Sequence, residues 1–132
     1  MRVLVLEDDP ERLKGFSAGL SGHDYTFVSN PMMAIGYLAL YEWDYLFLDH
    51  DLGGHIYCDS DEKSGFAVAC WLSENPARMP GKVILHTWNP AGAENMQCVL
   101  VDASQAPYAG SGQVWNIING GDPQEPTIII PE

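Results

Sequence analysis

Positive charge is scarce in this chain: six Lys and Arg stand against eighteen Asp and Glu, a net charge of −12 over 132 residues. Unaided binding to duplex nucleic acid is therefore not expected, because phosphate contacts need cationic groups. A phosphorylated ligand would need a metal ion to neutralise it. Long apolar runs are missing as well. No stretch approaches the roughly 18 apolar residues of a membrane span, and Val3 to Leu6 before Glu7 is too short for the apolar core of a secretory signal. A cytoplasmic protein with no membrane partner is expected. Cysteine is sparse: Cys58, Cys70 and Cys98 form no CxxC pair, which argues against zinc and disulfide readings and suits a reduced compartment. There is no internal repeat or low-complexity block, and the length fits one domain, residues 1–132.

Short apolar runs that stop abruptly in polar residues are abundant. Val3 to Leu6 ends at Glu7-Asp8-Asp9-Pro10, Tyr45 to Leu48 at Asp49-His50-Asp51 followed by Leu52-Gly53-Gly54, and Lys82 to Leu85 at His86-Thr87-Trp88-Asn89-Pro90. Runs this short, apolar on both faces, predict central parallel strands covered by helices. Tyr25 to Val28 is a further strand. Between them the spacing predicts helices: one opened by Pro10 with Leu13, Phe16 and Leu20, one opened by the N-cap Asn30 before Pro31 with Met32, Ile35 and Leu38 inward, one at Gly65–Glu74 capped by Ser64, and one at Ala91–Val101. The alternation implies a doubly wound α/β fold with a parallel sheet. After Ala103 the β-branched runs Val114–Ile118 and Thr127–Ile130 predict a terminal β-hairpin in place of a last helix. Alternatively, one run pairs with the sheet while the other is a tail or a dimer edge.

In an open parallel sheet, ligands bind beyond the carboxyl ends of the strands, at the point where neighbouring connections run to opposite faces. For strand order 2-1-3-4-5 that crevice lies between strands one and three, within reach of Asp8, Asp9, Asp49 and Asp51. Crowded carboxylates repel unless a cation sits among them, and an all-oxygen set suits magnesium or manganese. A bland role is open to each: Asp8 or Asp9 ahead of Pro10 can cap the first helix. His86 closes the neighbouring strand and supplies an acid/base group, joined by the Thr87 hydroxyl and the Asn89 amide, groups that bind phosphate oxygens. The bland role for His86 is a cap on local backbone. Strand alternation leaves open whether His50 faces this crevice or a helix interface. Trp88 is placed to stack on a base or ring. His55, in the long loop, reads as exposed or as closing over a ligand.

These residues resemble response-regulator receiver domains, whose flavodoxin-like sheet has order 2-1-3-4-5. In that family an acid pair and the strand-three aspartate bind magnesium, and that aspartate accepts a phosphoryl group; the matching positions are Asp8, Asp9 and Asp49. A receiver also has a lysine ending strand five, whereas no Lys or Arg follows Lys82 here. A closer resemblance, over residues 1 to 101, is to the cyclic-phosphate processing receiver domains, with residues 102–132 divergent. Asp8-Asp9 with Arg12, Leu48 to Gly53, Gly65-Phe66 with Trp71-Leu72, and His86-Thr87-Trp88-Asn89-Pro90-Ala91-Gly92 through Asn95-Met96 match its pattern. Ala93 stands where that family often has arginine.

The resemblance implies a metal-dependent phosphoesterase acting on a cyclic phosphate of a nucleotide, RNA end or ADP-ribose-like molecule. Asp8, Asp9, Asp49 and Asp51 would hold magnesium or manganese, His50 and His86 would take and give protons, and Thr87, Trp88, Asn89 and Arg12 would bind substrate. The alternatives are a non-catalytic module for a phosphorylated ligand or protein partner, and a phosphoacceptor at Asp49. A homodimer through the C-terminal strand would suit its apolar edge.

Overall fold

A computed structural model of the chain describes residues 1–52, 59–106 and 110–120. Five parallel strands, β1 (Arg2–Leu6), β2 (Asp24–Val28), β3 (Tyr45–Leu48), β4 (Lys82–Leu85) and β5 (Ser104–Gln105), lie in the order β2-β1-β3-β4-β5. The connecting helices are α1 (Pro10–Gly19), α2 (Pro31–Leu40), α3 (Phe66–Glu74) and α4 (Pro90–Val99), with a 3₁₀ turn at Pro76–Arg78. Helix α5 (Ser111–Ile118) closes the described fold. This is the doubly wound, flavodoxin-like receiver arrangement.

Three helices begin with the same device, a polar N-cap followed by proline. Asp9 accepts from the Glu11 N–H, Asn30 from Met33 and Asn89 from Gly92. The cap satisfies an N–H that the helix cannot, while proline has none to satisfy. At α3 the Ser64 hydroxyl accepts from the Phe66 N–H at 3.2 Å.

Strand alternation divides the core in two. Leu4, Leu6, Leu46, Leu48 and Leu85 face Leu38, Leu72 and Met96 of α2, α3 and α4. Val3, Val5, Tyr45, Phe47 and Ile84 face Phe16 and Leu20 of the α1 segment and Val114, Ile117 and Ile118 of α5. On α2 the inward residues are Ala34 and Leu38, with Ile35 half-buried, whereas Met32 is 79% exposed. That corrects the inward placement of Met32.

The larger correction is at the C-terminal side. Val114–Ile118 is part of a helix and not the first strand of a hairpin, so the last helix is present. Val114, Ile117 and Ile118 recur at i, i+3 and i+4, one apolar helical stripe. Gly19 admits that stripe closely, since a Cβ there would lie 2.7 Å from the Val114 Cβ. Tertiary packing thus outweighs β-branched propensity. The fifth strand is the two-residue Ser104–Gln105, whose pairing extends through the Ala106 N–H to Leu85 O at 2.8 Å. Thr127–Ile130, and with it the expected dimer edge, lies outside the described residues, as do His55 and Cys58. Cys70 and Cys98 are unpaired. Among the described residues no helix is long and apolar enough to cross a membrane.

Candidate functional site

Register decides which strand-end residues meet. Leu6 pairs with Leu48 and Leu48 with Leu85, so the first residue beyond each strand, Glu7, Asp49 and His86, forms the next row across the sheet. Hydrogen bonds from Asp49 N–H to Leu6 O (3.3 Å) and His86 N–H to Leu48 O (3.1 Å) carry the ladder that far. Two residues past Val5, Phe47 and Ile84, the row points to the same face, toward α1. All three side chains are buried. A carboxylate oxygen of Glu7, one of Asp49 and a ring nitrogen of His86 lie within 4.8 Å of one another.

The surroundings set their charge. Glu7 Oε2 accepts the backbone N–H groups of Asp8 (2.9 Å) and Asp9 (3.2 Å), and Asp49 Oδ1 accepts that of His50 (2.8 Å). Arg12, one turn into α1, places Nη1 3.2 Å from Glu7 Oε1 and 3.7 Å from Asp49 Oδ2. One guanidinium thus serves two carboxylates. Burial alone would raise the Glu7 carboxyl, but contact with His86, the Asp9 backbone and Arg12 outweighs it and holds Glu7 at about 2. Burial, then the Glu7 charge, pushes Asp49 up to about 8 against the pull of Arg12. Burial pushes His86 down, opposed by Glu7. At neutral pH the metal-free group therefore holds Glu7 ionised and Asp49 protonated.

His86 is the member without a settled partner. Its Nε2 stands 3.3 Å from Glu7 Oε1, within ion-pair reach but outside hydrogen-bond geometry, and neither buried ring nitrogen makes a hydrogen bond. The ring packs edge-on against Phe16, centroids 5.0 Å apart. An unpaired polar atom in such a place is costly and calls for a ligand. Two carboxylates and one imidazole are a donor set that fits a divalent transition ion such as manganese. Binding would release the Asp49 proton.

The other expected ligands lie elsewhere. Asp9 is exposed and caps α1; Asp8 is half-buried; Asp51 turns to His50. None of the three joins the Glu7, Asp49 and His86 group. Sequence reasoning passed over Glu7 as a ligand, although its position, like those of Asp49 and His86, is the first after an apolar run. Trp88, 55% exposed, covers the Arg12 guanidinium at 4.6 Å, so these two expected substrate contacts flank the acidic group together. Thr87 is buried and accepts from the Asn89 N–H at 3.1 Å. Asn89 caps α4 and reaches Asp51 Oδ1 at 3.0 Å.

His50 belongs to the opposite face. It is fully buried, with Nδ1 2.7 Å from Asp51 Oδ1 and Nε2 2.7 Å from Ser60 Oγ. Two glycines make room for this turn of chain. A Cβ on Gly92 would collide with the imidazole, and one on Gly65 with the Asp49 carbonyl. The structure therefore separates the two histidines that the sequence places at neighbouring strand ends.

Among solved structures the chain is similar to receiver domains. It is 16% identical to the Mn(2+)-bound form of response regulator Rcp1, with a TM-score of 0.64 over 90% of this chain and 89% of that one. It is 22% identical to the signal receiver domain of a putative LuxO repressor protein from Vibrio parahaemolyticus, with a TM-score of 0.57 over 80% and 78%. Response regulator TrrA from Thermotoga maritima, in complex with Mg(2+)-BeF, is 18% identical, with a TM-score of 0.54 over 79% and 82%. These likenesses establish the fold. No curated protein matches. A family model described as "Cyclic-phosphate processing Receiver domain" matches residues 3–102, the span that carries every strand but β5 and both histidine motifs, and the chain belongs to that family.

Proposed function

We propose that the chain is a metal-dependent phosphoesterase that opens a cyclic phosphate. The observation that carries this reading is the buried group of Glu7, Asp49 and His86 with its unpartnered imidazole beside Arg12. Glu7, Asp49 and His86 would hold the ion. A bound divalent ion supplies charge neutralisation at the phosphoryl oxygens and lowers the pKa of an attacking water. Arg12 binds a phosphoryl oxygen, and Trp88 offers its exposed face to the base or ring of the substrate. His86 would give that ion its one nitrogen ligand. Thr87 and Asn89 hold the first turn of α4 in place beside them. The family name supports the substrate class, and the manganese-bound receiver supports the cofactor by likeness of fold.

Incubation of the chain with Mn²⁺ and a 2′,3′-cyclic mononucleotide, followed by ³¹P NMR, tests this. A linear phosphomonoester should appear and should not form in chelator. A second reading, a non-catalytic module for a phosphorylated ligand, is favoured by Arg12, which already offers the two acids a counterion. Calorimetric binding of the nucleotide without product would select it. A phosphoacceptor role at Asp49 would instead give a mass increase with acetyl phosphate.

A further inference from the structure

On the α3/α4 face, five polar side chains are linked by hydrogen bonds whose directions follow from one fixed donor. The backbone N–H of Gly92 donates to Asn89 Oδ1 at 3.0 Å, so the other end of that amide is Nδ2, which donates to Asp51 Oδ1 at 3.0 Å. Asp51 accepts, and His50 Nδ1, 2.7 Å from the same oxygen, therefore carries its hydrogen there. The 3.4 Å between Asn89 Nδ2 and His50 Nδ1 is the separation of two donors sharing one acceptor. In the neutral ring, Nε2 is then an acceptor. Ser60 Oγ, 2.7 Å away, gives it a proton, while Asn95 Nδ2 donates to Ser60 Oγ at 2.8 Å. A hydroxyl aimed at an imidazole that is itself held by a carboxylate is the relation that activates a serine nucleophile.

A cleft of about 460 Å³ opens beside Ser60, between Asp59, Asn89, Gly92 and Asn95. Ser60 is half-buried, and His50 is fully buried beneath Gly92. The imidazole thus lies beneath the surface while the hydroxyl stays within reach of the cleft. Among the described residues no lysine or arginine lines the cleft, and Asp59 lies in its wall. An anionic phosphate would be repelled there; a neutral ester would not. The first turn of α4 lines the same cleft, and the positive end of its dipole favours a developing oxyanion.

We infer that Ser60 is the nucleophile of a second centre, independent of the metal group, which takes the acyl group of a neutral carboxylic ester. Ser60 Oγ bonds to the carbonyl carbon and its proton passes to His50 Nε2. As the ester C–O bond breaks, that proton leaves with the alcohol. Water then attacks the acyl-serine with His50 as base, releasing the carboxylic acid and restoring the hydroxyl. His50 and Ser60 are the catalytic residues, and Asp51 positions the ring.

The test is incubation of the full chain with p-nitrophenyl acetate in chelator, read by p-nitrophenolate release and by peptide mass mapping. An acetyl group on Ser60 is expected, absent from Ser60→Ala, whose melting temperature should fall because His50 Nε2 loses its partner, while its far-UV circular dichroism should match the parent. Asp51→Asn should slow acylation by about 10²- to 10⁴-fold without changing KM. Acetylation confined to lysines or the N-terminus overturns the inference, as does an unchanged release rate in Ser60→Ala. A requirement for added divalent ion also overturns it, by returning the chemistry to Glu7, Asp49 and His86.

Discussion

Two histidines close neighbouring strands of one sheet and live under opposite rules. His86 lies on the α1 side among charges, with no hydrogen bond to either nitrogen. His50 lies on the α3/α4 side with both nitrogens bonded at 2.7 Å. Both are buried, so exposure does not distinguish them. Satisfaction does: the His50 imidazole is held in one orientation by its protein partners, whereas that of His86, lacking them, is poised for something that is not protein. The acids divide the same way. Asp51 is tied into hydrogen bonds with His50 and Asn89, while Glu7 and Asp49 share one guanidinium, which leaves Asp49 holding its proton.

The sharpest way to break this contrast is to remove each ring. His86→Ala should lower cyclic-phosphate turnover by about 10²- to 10⁴-fold while the fold persists. His50→Ala should instead unfold more readily, by about 2–5 kcal/mol, because a cavity forms and Asp51 loses a donor. Turnover assays and urea denaturation on both variants would show it; a His86→Ala protein with parental turnover would end the metal-site reading.

Next comes pH. The Asp49 carboxyl is raised in the folded chain from 3.8 to about 8. Its contribution to stability is full below the unfolded value and is lost as pH rises through 4 to 8. Glu7, held down at about 2, runs the other way and contributes above its unfolded value of 4.5, losing that as pH falls. In chelator, Asp49→Asn should therefore gain stability over the parent between pH 5 and pH 8, on the order of a few kcal/mol. Mn²⁺ affinity of the parent should rise over the same interval, since the ion must displace the Asp49 proton. Urea titrations at the two pH values and calorimetry decide both points.

Gly92→Ala sharpens the other half of the comparison. Its methyl group would meet the His50 ring, so a loss of about 1–3 kcal/mol is expected from overpacking, with turnover at the metal group little changed. Thermal melts should report it. Trp88→Ala is the smallest change, about 0.5–1 kcal/mol from the cation–π contact with Arg12. Its signature would be a raised KM for a cyclic nucleotide rather than a shift in melting temperature.

Much of this was legible beforehand. Apolar runs stopping at Glu7, Asp49 and His86 announced strand ends, and Asp9-Pro10, Asn30-Pro31 and Asn89-Pro90 mark helix starts by local chemistry alone. Less legible was anything that depended on a neighbour. Val114–Ile118 reads as a strand from its sequence and is a helix because Gly19 offers α5 a place to pack. Ser104–Gln105 has no propensity to betray it and is a strand only because β4 is beside it. Ser60 is one of several polar loop residues until His50 Nε2 is found 2.7 Å away.

The amino-acid order by itself determined that polar residues crowd the carboxyl ends of parallel strands, because alternation, capping and strand length act over a few neighbouring positions. Which of them share a pocket was decided by the tertiary structure. Pairing Leu6 with Leu48 and Leu48 with Leu85 aligns Glu7, Asp49 and His86 on one face. A step of one residue along a strand turns the side chain to the other face, where His50 meets Asp51 and Ser60.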